Sequence, residues 1–63
     1  MIKSAEELKT TMERLARFQQ QVMAVRAVAA SPENYRASAD GYLAEIDRMM
    51  LDVRDYLWAP PTI

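Results

Sequence analysis

Neither cysteine nor histidine occurs among the 63 residues. Without cysteine there is no disulfide and no thiolate metal site. Without histidine, the commonest metal ligand and the commonest general base near neutral pH are both gone. Glycine occurs once, as Gly41, so no glycine-rich loop can cradle a phosphate. Charge of one sign is missing too. Eight basic and nine acidic residues leave a net charge of −1, interspersed without a run. A surface that neutralises phosphates needs a basic excess, so the composition argues against nucleic acid as a partner. The opening MIKSAEELK has no apolar signal core. The apolar stretch VMAVRAVAA, residues 22–30, is far shorter than the ~20 residues that span a bilayer. These absences predict a cytoplasmic chain with no membrane partner.

What is present is helical periodicity. SAEE at 4–7 reads as a capping box, in which the Ser4 hydroxyl accepts from the Glu7 N–H and the Glu7 side chain reaches back. Glu6 and Glu7 also lie at the positive end of the helix dipole. Ile2 is placed to pack back on Leu8. Leu8, Leu15, Val22 and Ala29 then recur at heptad spacing, with Thr11, Phe18 and Val25 as the second row and Met12 beside Thr11. SPEN at 31–34 resets the chain. Pro32 disfavours helical geometry at Ser31 but suits the first turn of a new helix, with Ser31 as its N-cap. In the second helix Tyr35, Tyr42, Met49 and Tyr56 form one row and Ala39, Ile46 and Val53 another. Leu43, Met50 and Leu57 form a third row beside them. Gly41 is its one weak residue, and SADG at 38–41 offers a possible restart. The in-phase spacing of Tyr35, Ala39 and Tyr42 favours a continuous helix that stops near Trp58, before Pro60.

The fold class expected is all-α: an antiparallel two-helix hairpin over about 5–30 and 32–58, in one domain spanning 1–63, with 59–63 a short tail. A kinked continuous helix is the alternative. Folding at Ser31 sets Val22 against Ala39, Phe18 against Tyr42, Leu15 against Ile46 and Leu8 against Val53, so the two heptads mesh.

A chain this short buries only about 60% of its unfolded surface and is marginal alone. Of the usual supports, only oligomerisation is left. The hairpin also has more apolar rows than one seam can hide. Met12, Met23, Ala27, Val28, Leu43, Met50, Leu57 and Trp58 form the expected interface. Ala24, Ala27, Ala29 and Ala30 permit close helix approach. The product expected is a homo-oligomer, a dimer of hairpins forming a four-helix bundle. Trimers, tetramers and a bundle with a different protein are the other arrangements. Trp58 is expected to dock on Ile2 and Leu8 at the open end. Its alternative role is an anchor for a partner.

No set of residues reads as a catalytic site. Glu45, Asp47, Asp52 and Asp55 lack metal-ligand spacing and are interleaved with Arg48 and Arg54, which marks a solvated face. Lys9/Glu13, Glu13/Arg17, Arg36/Asp40 and Arg48/Asp52 stand at i,i+4 spacing, suited to surface ion pairs. Ser4, Ser31 and Ser38 have no base to activate them. The expectation is no enzyme, no catalytic or metal residues and no cofactor. Tyr35, Tyr42 and Tyr56 read as core aromatics with hydroxyls at the rim, or alternatively as a stacking strip.

The stretch NYRASADGYLAEIDRMMLDVRDYL, residues 34–57, resembles small uncharacterised bacterial proteins of helical-hairpin plan, which pair an ERLARF-like first helix with a YLAEIDRM-like second. The opening IKSAEEL is similar to the first segment of some host-inhibition-of-growth-type antitoxins. The helix-turn-helix domain of those antitoxins has no counterpart here. The resemblance implies a regulatory binding partner and not a repressor. The function expected is therefore a self-associating protein-interaction module, with a heterologous protein partner also open. The alternative is a nucleic-acid-associated accessory protein whose dimer gathers Arg14, Arg17, Arg26 and Arg36 into a patch. A membrane-surface hairpin is disfavoured by the mixed charges of its polar faces.

Overall fold

The computed structural model describes residues 1–61, and its element order is α1 (Ala5–Val28) followed by α2 (Pro32–Trp58). The expected tail extends to Thr62 and Ile63, which lie outside the described residues. The two helices pack along their length as an all-α hairpin. Local signals account for both starts. Ser4 and Ser31 are extended N-caps whose hydroxyls accept from the N–H groups of Glu7 and Asn34, each at 3.1 Å. Each cap satisfies one of the N–H groups that a helix start leaves without a partner. Pro32 sits in the first turn of α2, where no intrahelical donor is required of it. The helix continues unbroken through Gly41.

Two details of the helix ends differ from the expectation. α1 stops at Val28, two residues short of Ala30, with Ala29 extended at φ −67°, ψ 132°. Ala29 and Ala30 are strong helix formers, but the chain must reverse before Ser31 caps the next helix, and reversal outweighs their propensity. The Glu7 carboxylate accepts from the N–H of Lys3 at 3.1 Å, one residue before the Ser4 donor that the capping box predicts.

The seam between the helices follows the heptads. The Phe18 and Tyr42 rings meet edge to face, with centroids 5.7 Å apart and planes at 87°. Nearer the tip, the Arg26 guanidinium lies 5.4 Å from the Tyr35 ring centroid. These two contacts fix the antiparallel register. Leu8, Thr11, Leu15, Phe18, Val22 and Val25 are all half-buried along α1. The Thr11 hydroxyl donates to the Glu7 carbonyl at 2.8 Å, so its place in the seam leaves no polar group wanting. Across from them, Ala39, Ile46 and Met49 are the buried apolar residues, and α1 contributes none. The molecule is a rod of 52 × 15 × 12 Å. Its radius of gyration is 14.5 Å; a compact domain of this length would have about 11 Å.

Candidate functional site

Once the register is fixed, each helix has one row of residues on either side of the seam. In an antiparallel pair, rows of the same heptad position lie side by side. On one flank α1 presents Ala5, Met12, Gln19 and Arg26, and α2 presents Arg36, Leu43, Met50 and Leu57. On the other, α1 presents Glu7, Arg14, Gln21 and Val28, and α2 presents Ser38, Glu45 and Asp52, with Ala59 as its C-cap. The first flank is apolar over most of its length and the second is polar.

The apolar flank is open to water. Met12 and Met50 are each 51% exposed, Leu43 42%, Leu57 63% and Trp58 82%. A shallow groove at its open end is lined by Leu15, Met50, Val53, Arg54, Leu57 and Trp58. A second, on α1, runs past Ala5, Leu8 and Met12. At the tip the lining turns basic: Arg26 and Arg36 stand around Ala29, Ala30, Pro32 and Tyr35. Full burial of a Leu or Met side chain is worth roughly 1.5–3 kcal/mol, and these side chains, about half exposed, forgo about half of that each, which makes this strip a large unsatisfied surface of the chain.

The polar flank is closed by its own charges and by the N-terminal segment. Glu45 and Arg48 are bridged at 2.7 Å, and this hydrogen bond, with the carboxylate charge, raises the Arg48 pKa above its ordinary value. Met1 and Ile2 lie in a groove with Glu7, Thr11, Arg14, Met49 and Asp52. The Met1 amine is 3.8 Å from Asp52.

The expected interface residues are not all brought together. Met12, Leu43, Met50, Leu57 and Trp58 share the apolar flank or its open end. By register, Met23 is turned further outward, Ala27 lies on the back of α1, and Val28 stands on the polar flank at the tip; all three are exposed. Trp58 does not dock on Ile2. The indole is largely exposed and borders the groove with Met50 and Leu57, while Ile2 lies on the opposite flank near Asp52, Asp55 and Tyr56. Leu51, at 54% exposure, is a further exposed apolar residue that the row pattern passes over. It stands on the back of α2, one heptad before Trp58, and scattered apolar residues on a surface are ordinary.

The four i,i+4 pairs also do not close. Among the described residues, Arg48 turns back to Glu45, and Arg54 pairs with its neighbour Asp55 at 3.2 Å. Exposed long side chains have several partners of nearly equal energy, and Asp52 lies on the flank row next to the N-terminal segment. Arg14 stands on the polar flank and Arg26 and Arg36 on the apolar one, so a single hairpin does not gather the arginines into one patch. Among the described residues, no group of three acidic side chains could hold a metal ion, and no helix is long and apolar enough to cross a membrane.

Comparison with known proteins finds no matching family model, no matching curated protein and no matching solved structure.

Proposed function

We propose that this chain is a non-enzymatic protein-interaction module that associates with itself, in the manner of a small bacterial regulatory or antitoxin-like partner. One observation carries the reading. Four large apolar side chains, Met12, Leu43, Met50 and Leu57, line one flank, with Trp58 bordering its open end, and among the described residues the seam buries only Ala39, Ile46 and Met49. A two-helix chain with so thin a core gains most of its possible stability by hiding that strip. The side-chain chemistry agrees, since a sequence without histidine or cysteine offers neither the usual proton shuttle nor a thiolate nucleophile. The mixed, nearly balanced charges suit a protein surface better than a phosphate backbone or an anionic bilayer.

Sedimentation and thermal unfolding over a hundredfold range of protein concentration test this. The expected result is a mass above one chain and a Tm that rises with concentration, because association stabilises by mass action. A one-chain mass with a concentration-independent Tm overturns it.

A further inference from the structure

We propose that a second copy of this chain covers the apolar flank, running antiparallel to the first about a two-fold axis that passes by Met12 and Met50. This rests on the self-association reading and goes beyond it, by naming the flank, the orientation and the residues that meet.

The exposed area makes the case for a copy. The chain has 5363 Å² of accessible surface. A folded monomer of its mass would expose about 4,100 Å². The excess, over 1,000 Å², exceeds the ~800 Å² that each partner contributes to a standard specific interface. Met12, Leu43, Met50 and Leu57, with Trp58 at the open end, give such a contact an apolar centre. The polar flank cannot serve in the same way, because there Glu45, Arg48 and Asp52 would be stripped of water.

The row itself chooses the orientation. Leu43, Met50 and Leu57 read the same in both directions along α2. Turned about Met50, the row sets each Leu43 against the partner copy's Leu57-equivalent position and Met50 against itself, which is the self-matching that a two-fold contact demands. Each Trp58 then reaches past Leu57 to the neighbourhood of Leu43 on the other copy. The charged tip excludes the opposite sense. Arg26 and Arg36 stand at one end of the same flank. Two hairpins side by side in parallel would crowd four guanidinium groups together. The antiparallel pair instead holds each Arg36 about 21 Å from the axis, fourteen residues along the helix from Met50.

The absence of cysteine makes single-cysteine cross-linking clean. Under mild oxidation, Met50→Cys is expected to link into a covalent dimer. Leu43→Cys and Leu57→Cys are expected to stay single alone and to link when refolded together. Arg36→Cys stays single, and Leu51→Cys on the back of α2 sets the collisional background. If Met50→Cys unfolds, the mixed Leu43→Cys and Leu57→Cys pair gives the same answer. A two-chain mass with linking by Leu43→Cys or Arg36→Cys alone overturns this geometry and leaves self-association standing. So does a two-chain mass with every position at background. A one-chain mass for the unmodified protein overturns both.

Discussion

The two flanks of this hairpin are built from the same two helices, yet they face water very differently. The flank with Glu7, Arg14, Glu45 and Asp52 settles its own surface with the Glu45–Arg48 bridge and a segment laid over it. The flank with Met12, Leu43, Met50 and Leu57 settles nothing, and each of those side chains is at least 42% exposed. The difference teaches where the stability of such a chain must come from. Among the described residues the seam hides three, Ala39, Ile46 and Met49, which is a thin core for a chain of this length. In the proposed dimer the polar flank would stay outside and the apolar flank would be covered.

The largest effect expected is from a charge placed on the apolar side. In the proposed dimer, Met50→Glu removes two methionines that are each 51% exposed in the hairpin, a loss of roughly 1.5–3 kcal/mol together, or at least about tenfold in the dissociation constant, and it sets two carboxylates against each other in an apolar contact at further cost. Gln21→Glu, the same charge on the polar flank, should leave the sedimenting mass unchanged. Equal behaviour of the two variants would erase the distinction between the flanks. Next in size is the seam. Ile46, only 7% exposed, should cost about 2–5 kcal/mol as Ile46→Ala in urea unfolding. Leu51→Ala on the back of α2 should cost far less, and a reversal of that order would put the core in the wrong place.

A smaller effect of opposite sign is expected at Gly41. Nothing lies within 4 Å of where a Cβ would stand, and the residue has no positive φ. Gly41→Ala should therefore raise stability by about 0.5–1 kcal/mol through helix propensity, read as a higher urea midpoint. The smallest effect belongs to the polar flank. Glu45→Gln breaks the bridge to Arg48, and no change in the melting curve is expected, because exposed pairs in high-dielectric surroundings contribute little. A clear destabilisation would show that the polar flank holds the hairpin together after all.

Much of the hairpin was legible before any coordinates. Ser4 and Ser31 announced both helix starts, Pro32 the break between them, and the heptads the pairing that Phe18 and Tyr42 make. What went unread was what depends on small energy differences or on the chain's reversal. Ala29 and Ala30 read as helix because propensity is local, whereas the turn that unwinds them is not. The reach of Glu7 to Lys3, and the choice by Arg48 of Glu45 over Asp52, are rotamer choices among near-equal alternatives at a wet surface. Trp58 does lie at the open end, but its indole borders Met50 and Leu57 and stays largely exposed, away from Ile2 on the opposite flank. Of the expected interface residues, the Leu43, Met50 and Leu57 row was legible as one face of α2, whereas that Met23, Ala27 and Val28 stand on other faces of α1 follows only from the register of the seam.

The amino-acid sequence by itself determined two capped amphipathic helices, their break at Ser31 and the residues of the seam, because capping and heptad spacing act over a few residues. Only the tertiary structure decided that Met12 and the Leu43–Met50–Leu57 row lie on one side. Chain reversal brings equal heptad positions of the two helices together. Parallel packing of the same helices would set Met12's row beside the polar row instead, leaving no continuous apolar flank.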